Sequence, residues 1–76
     1  LNTFTIMNGS VLEERCVQDI TWPDNCLLIA LERNGKEMIP RCKTKLMAGD
    51  VLTTITDERD AGYVHDKMEK LCYTSF

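Results

Sequence analysis

Basic side chains are concentrated in the middle of this 76-residue chain. Five of its nine lysines and arginines fall within thirteen positions: Arg33, Lys36, Arg41, Lys43 and Lys45. A planar guanidinium can hold a phosphate through two parallel hydrogen bonds. If residues 41–45 are extended, three of these cations project from one side, because side chains alternate along a strand. The sequence therefore predicts an anion-binding strip, with Arg33 and Arg41 as the better candidates because each borders an apolar segment.

The lysines have a second explanation. Charge on an exposed edge strand discourages edge-to-edge aggregation, and we favour this role for Lys43 and Lys45. The chain as a whole carries a net charge of −3, whereas proteins that bind nucleic acid polymers or anionic lipid usually have a clear cationic excess. The composition thus argues against a nucleic acid polymer as partner.

Residues that could catalyse a reaction are sparse. The sequence contains no glycine-rich phosphate loop, no His-Glu-x-x-His and no Gly-x-Ser-x-Gly. His65 is the single histidine and lies seven positions before Cys72, hence roughly on one helical face, but two ligands do not close a metal site. We predict no catalytic residue, no metal and no enzyme activity. A thiol or zinc sensor built from Cys42, Cys72 and His65 stays open as a less favoured alternative.

The four cysteines are separated by ten, sixteen and thirty positions, without a Cys-x-x-Cys pair: Cys16, Cys26, Cys42 and Cys72. Disulfide and metal frameworks usually show closer spacing. Free cysteine is among the most buried residue types and behaves as a small apolar residue. The sequence predicts reduced and mostly packed thiols.

A β-hairpin must position the basic residues. Asn34-Gly35 lies between two apolar-rich segments, and both residues tolerate the positive φ that a two-residue turn demands. In that register Leu31 faces Met38 and Glu32 faces Glu37, whereas a three-residue loop would bring Leu31 against Glu37. A buried Leu or Met contributes about 1.5–3 kcal/mol, and a cross-strand charge pair only about 0.2–1 kcal/mol. We therefore predict the two-residue turn.

The other elements follow from turn residues and periodicity. We expect a first strand over Thr3–Met7, a turn at Trp22–Asn25 and a strand over Val51–Thr56. Ser10 and Glu13 fit a capping box for a helix within residues 11–20, although a shorter helix near residues 16–20 is the alternative that we favour. Asp57 caps a last helix whose apolar stripe comprises Ala61, Val64, Met68, Leu71 and Cys72. This order predicts a small α+β domain.

The length allows one domain, residues 1–76. A domain of this size buries only about 60% of the surface that its unfolded chain exposes, so dimerisation would add stability. The longest apolar run is far shorter than the ~20 residues of a membrane-spanning helix. Because the chain begins at Leu1 without an initiator Met, we expect it to be a piece of a longer protein.

The segment Pro40–Leu52 resembles the signature of the TrkA-C family, also called the C-terminal RCK subdomain, which regulates ion transporters and channels. Phe4–Ile6 looks like the opening strand of that family, and Leu27–Arg33 looks like its central apolar strand ending in Arg. The resemblance therefore covers nearly the whole chain. The signature positions are filled by Ile39, Pro40, Arg41, Thr44, Leu46, Gly49, Asp50, Val51 and Leu52.

This resemblance implies a cytoplasmic regulatory domain that pairs into a homodimer and acts on a membrane transport domain of the same or a partner chain. Potassium transport is the family's commonest association, and ClC-type chloride channels are the main alternative. In several members the dimer groove accepts a small ligand, including cyclic di-AMP. Carried over by position, that groove involves Arg33, Asn34, Met38, Ile39 and Pro40, with Arg33 or Arg41 facing phosphate.

The ligand itself stays open. The histidine and asparagine that some cyclic di-AMP binders place beside the groove are not evident here, and Glu32 with Glu37 would repel an anion. Another nucleotide, or a divalent cation held by Glu32 and Glu37 at a dimer axis, is an alternative. A ligand-free dimerisation scaffold, with Met38 and Ile39 as interface core, is a further one. Beyond such a regulatory ligand we expect no cofactor.

Overall fold

The computed structural model describes residues 1–73, which form one antiparallel sheet covered on one face by a helix. In space the strands are ordered β1-β4-β2-β3. Along the chain, the elements are β1 (Asn2–Thr5), β2 (Cys26–Arg33), β3 (Lys36–Met38), β4 (Val51–Thr56) and the helix α1 (Ala61–Tyr73), with short 3₁₀ turns at Val17–Asp19 and Glu58–Asp60. This architecture confirms the expected α+β class.

The core lies between the sheet and α1. Its centre is β4, which pairs with both β1 and β2, so that Leu52 lies opposite Phe4 on one side and Leu31 on the other. The fully or nearly fully buried apolar residues are Phe4, Ile6, Leu12, Leu31, Leu46, Leu52, Val64, Met68 and Cys72. Leu52 and Thr54 are buried while Ile55 is exposed, as the period of two requires for a sheet with one covered face.

The β2–β3 hairpin has the predicted two-residue turn. Asn34 and Gly35 have φ values of 53° and 79°, and the register pairs Leu31 with Met38, Glu32 with Glu37 and Arg33 with Lys36. Leu31 is fully buried, whereas Met38 remains exposed because β3 forms the edge of the sheet. The predicted two-residue register is therefore confirmed.

A bulge in β2 was not foreseen. The pairing with β4 shifts between Leu28 and Ala30, which leaves Ile29 as an extra residue. In a regular strand, residues 28 and 31 would point to opposite faces. The bulge instead lets Leu28 lie opposite Thr54 and Leu31 opposite Leu52, so both face the core.

Residues 6–20 are mostly turns. The first strand ends at Thr5 rather than Met7, because Ile6 bonds instead to the backbone around residue 49: its N–H donates to Asp50 O at 2.8 Å and its carbonyl accepts from Gly49 N at 2.7 Å. Glu13 Oε1 accepts from Gly9 N at 2.7 Å, but no α-helix follows. The shorter helix is confirmed as the 3₁₀ turn Val17–Asp19.

The last helix begins close to the predicted cap residue Asp57 and has the predicted apolar stripe. Asp57 Oδ1 accepts from Arg59 N at 3.0 Å and caps the 3₁₀ turn that leads into α1. Val64, Met68 and Cys72 are buried along one face, which confirms the apolar stripe. Within residues 1–73, no helix has both the length and the apolar content that crossing a membrane requires.

Candidate ligand-binding hairpin

Arg33, the last residue of β2, forms an ion pair with the buried carboxylate of Asp50. Its Nε donates to Asp50 Oδ1 at 2.9 Å and its Nη2 to Asp50 Oδ2 at 2.7 Å. Nη2 also donates to the carbonyl of Lys45 at 2.8 Å, and Asp50 Oδ2 accepts from Met47 N at 2.9 Å. Asp50 is only 1% exposed. The pair therefore fastens the loop before β4 to the end of β2.

The surroundings of this pair favour its charged form. Burial alone would raise the pKa of Asp50, but the hydrogen bonds from Arg33 and the Met47 N–H, together with the positive charge of Arg33, hold this pKa below its ordinary value. The hydrogen bond to Asp50 likewise raises the pKa of Arg33, against a smaller opposing effect of burial. Both groups are consequently ionised at neutral pH.

Arg33 is thus already engaged by the protein. Its side chain is 34% exposed, and Nη1 is the guanidinium nitrogen that forms no hydrogen bond with any residue of the described segment. A phosphate at this position would share Arg33 with Asp50. Contact through Nη1 alone would give up the two-pronged geometry that makes arginine a strong phosphate ligand.

Arg41 has a different setting. Its backbone is held by a turn, in which Arg41 N donates to Thr44 Oγ1 at 2.9 Å and Thr44 N donates to Arg41 O at 3.0 Å. Its side chain is exposed and forms no hydrogen bond or ion pair within residues 1–73. Of the two candidate arginines, Arg41 is therefore the one whose whole guanidinium is open to an anion.

Residues 41–45 do not form the extended strip on which the alternating-cation argument depended. Cys42 and Lys43 lie in a turn, and Lys45 forms an isolated bridge with Cys16. The expectation of three cations on one strand face is therefore wrong in its geometry. The turn arises because the Thr44 hydroxyl and backbone N–H close a ring on Arg41.

The predicted site residues all lie on the hairpin or the segment directly after it. Asn34 forms the turn, Met38 ends the edge strand β3, and Ile39, Pro40 and Arg41 follow in sequence. Ile39 is 72% exposed and Pro40 is half-buried. An apolar side chain and a free guanidinium are therefore two positions apart at an open edge of the sheet.

The acidic pair beside this surface is in the predicted register. Glu32 and Glu37 lie directly opposite each other and both are exposed. Like charges opposite each other in a sheet are mildly destabilising. The arrangement is compatible with a cation between them and unfavourable to an anion on that face.

The residues of the thiol or zinc alternative are not brought together. Cys72 is buried, which raises its pKa to about 12, whereas Cys42 is exposed. In the part of the chain that the structure describes, the group of three candidate metal ligands within 4.8 Å is instead His65, Asp66 and Glu69. All three are exposed on α1. His65 Nδ1 lies 3.6 Å from Glu69 Oε1.

Sequence reasoning missed the link between Arg33 and Asp50 and the role of Thr44. Arg33, Thr44 and Asp50 were identified only as positions that match the family. A signal was nevertheless present: an arginine that ends an apolar strand needs a partner, and Asp50 directly follows the turn residue Gly49, whose φ is 92°. Without knowledge of the spatial neighbours, this pairing over seventeen positions is not accessible from spacing.

The fold and this surface define a small α+β domain with an exposed β-hairpin. The TrkA-C domain model matches residues 2–68. The chain therefore belongs to the TrkA-C family, whose members are regulatory domains.

A curated relative is the Trk system potassium uptake protein TrkA homolog of Archaeoglobus fulgidus, which is 33% identical over 55 residues. The match covers 72% of this chain but only 13% of that protein. The chain thus corresponds to a small part of a much longer relative.

Proposed function

We propose that this chain is a cytoplasmic ligand-sensing and dimerisation domain that regulates a potassium transport protein. Its family is regulatory, and its relative in Archaeoglobus fulgidus is named for potassium uptake. The match covers only 13% of that relative, and the proposal takes the transport domain to be a partner chain or a further part of the same polypeptide. Regulation of a ClC-type chloride channel is the second candidate.

The observation that carries the ligand proposal is the exposed guanidinium of Arg41, which has no partner within residues 1–73, two positions after exposed Ile39. A nucleotide offers an apolar base and a phosphate, which are complementary to these two side chains. Arg33 would contact the phosphate through Nη1, while Asp50 fixes the orientation of the guanidinium. Two copies that meet along the hairpin edge would line a groove with two such sets, which suits a ligand with two bases and two phosphates such as cyclic di-AMP.

Regulation follows from a difference in affinity. A ligand that binds one arrangement of two domains more tightly than another shifts the equilibrium by that difference and no more. A tenfold preference corresponds to about 1.4 kcal/mol, enough to change the fraction of an evenly balanced transporter that is active. The domain needs no catalytic group for this role.

Calorimetric titration tests the proposal. We expect heat of binding with cyclic di-AMP or another nucleotide of a panel that also includes magnesium and calcium ions. Arg41→Gln should weaken nucleotide binding by about tenfold, as expected for a lost charged hydrogen bond. Arg59→Gln is the matched control, because Arg59 is an exposed arginine outside the hairpin.

Each other outcome selects an alternative. Heat with a divalent cation but no nucleotide, lost in Glu37→Gln, would favour the cation site at Glu32 and Glu37. No heat and no thermal shift across the panel would leave the ligand-free scaffold. Nucleotide binding that is equally tight in Arg41→Gln would contradict the hairpin site.

A further inference from the structure

A second concave surface lies between α1 and the segment that precedes β2. This α1 groove has a volume of about 350 Å³, within the range of ligand pockets. The residues that matter for its chemistry are Trp22, Pro23, Asp24, Tyr63, Lys67 and Lys70. The described residues that line it include none from the β2–β3 hairpin.

One part of the α1 groove is flat and apolar. Trp22 is partly buried against the core, and its indole N–H donates to Val17 O at 3.0 Å. The polar atom of the ring is therefore already satisfied, and its orientation is fixed. Pro23 follows it, and exposed Tyr63 on α1 also lines the groove. Such surfaces favour a planar ring, since aromatic pairs gain energy beyond their buried area.

The other part of the α1 groove is cationic. Lys67 Nζ lies 5.5 Å from the centroid of the Tyr63 ring, which holds the ammonium over the aromatic face. Lys70 lies three residues further, on the same side of the helix. Within residues 1–73 neither lysine forms an ion pair with a carboxylate. Asp24 is the one acidic residue among the described lining residues.

From this combination we infer that the α1 groove binds a small aromatic phosphate, with its ring beside Trp22 and Tyr63 and its phosphate at Lys67 and Lys70. The two ammonium groups, which have no carboxylate partner within residues 1–73, match the charge of a phosphate dianion. The volume suits a ligand of mononucleotide size. This site is separate from the hairpin and does not depend on the function proposed above.

Trp22 is the single tryptophan of the chain, so its fluorescence reports on the α1 groove. With excitation at a wavelength that tyrosine does not absorb, we expect saturable quenching on titration with adenosine 5′-monophosphate. Adenosine and inorganic phosphate supply the ring and the anion separately, and each should bind at least tenfold more weakly. Lys67→Gln and Lys70→Gln should each weaken binding of the monophosphate by about tenfold, because each removes one charged hydrogen bond.

Two further variants locate the binding. Lys43→Gln changes the net charge equally but lies far from α1 in sequence and outside the groove, so it should leave the titration unchanged. Arg41→Gln should also have no effect, unless the monophosphate binds at the hairpin instead. Absence of saturable quenching up to millimolar adenosine 5′-monophosphate would overturn the inference. So would an affinity in Lys67→Gln and Lys70→Gln that equals the affinity of the native chain. Failure here leaves the hairpin proposal intact, because the two sites use different residues.

Discussion

Arg33 and Asp50 act as one structural unit, which joins the arginine at the end of the family's central strand to the aspartate of the family signature. The signature aspartate accepts from the arginine that ends β2 and from the Met47 N–H, all at 2.9 Å or less. A buried carboxylate without these donors would be strongly unfavourable. The loop before β4 is therefore held in place by Arg33 and Asp50 together, which explains why the family pattern contains both an arginine at the end of the central strand and a Gly-Asp pair.

Asp50→Asn is expected to destabilise the domain by about 1–3 kcal/mol, the range for leaving a buried hydrogen-bonding group unsatisfied. The amide retains the shape of the carboxylate but removes its charge. It also replaces one acceptor oxygen by an NH2 group, which would face an N–H donor of Arg33 or Met47. Urea denaturation followed by circular dichroism measures the change in the free energy of unfolding. Arg59→Gln is the control, since it breaks an exposed ion pair with Asp57 and should have a far smaller effect. Equal losses in both variants would contradict the structural role of the pair.

The same pair predicts a pH dependence. The folded pKa of Asp50 is lowered, so its contribution to stability is present above the unfolded value of about 3.9 and is lost as the pH falls toward the folded value. The stability difference between the native chain and Asp50→Asn should be constant from pH 6 to 8 and shrink below about pH 4. Urea titrations at several pH values provide this comparison. A difference that grows toward acid pH would mean that the carboxyl is protonated in the folded state.

At the scale of elements, two glycines should respond oppositely to alanine. Gly35 has a φ of 79° in the hairpin turn, a conformation that disfavours a side chain by about 1–2 kcal/mol, so Gly35→Ala should lower stability. Gly62 lies within α1, and an added Cβ would meet no atom within 4 Å. Gly62→Ala should raise stability by about 0.5–1 kcal/mol. Thermal unfolding of both variants gives the signs, and a stabilised Gly35→Ala would show that the turn is not of the positive-φ type.

The same elements show what local sequence determines. The hairpin register, the bounds of β4 and the stripe of α1 were predictable because each depends on residues close in the chain or on one period. The bulge at Ile29 was not, since it depends on which residues of β4 lie opposite β2. Residues 10–15 resembled a helix start, but Glu14 N donates to Leu46 O and Arg15 O accepts from Leu46 N. Tertiary contacts therefore replaced the helical bonds there.

At the scale of the whole molecule, the candidate site was predictable only in part. Positions on the hairpin came from the family resemblance. Within residues 1–73 the Arg41 side chain has no partner, whereas Arg33 is engaged by Asp50. The α1 groove was not anticipated, because Trp22 and Lys67 are far apart in the sequence and neither belongs to a motif. A groove between distant segments is a property of packing, which spacing does not reveal.

We expect the domain to self-associate, and exposed apolar residues within 1–73 suggest two candidate surfaces. One is the hairpin edge, where Ile39 is 72% exposed; the other is the outer sheet face, where Leu27 (61% exposed) and Ile55 (47% exposed) lie opposite each other. We expect sedimentation equilibrium to show a dimer, because a domain of this size buries only about 60% of its unfolded surface by itself. Ile39→Asp should shift it to monomer by placing a charge in the interface.

Leu27→Asp is the matched test of the outer face, since it makes the same kind of change at a similarly exposed residue. It should leave the dimer intact if Met38 and Ile39 form the interface. If Leu27→Asp gives a monomer and Ile39→Asp does not, the dimer interface lies on the outer face of the sheet. Arg41 would then lie outside the groove between copies, and any ligand at the hairpin would contact one copy only. A native chain that stays monomeric at millimolar concentration would remove the groove between copies altogether, and with it the means by which a ligand could change the relative arrangement of two domains.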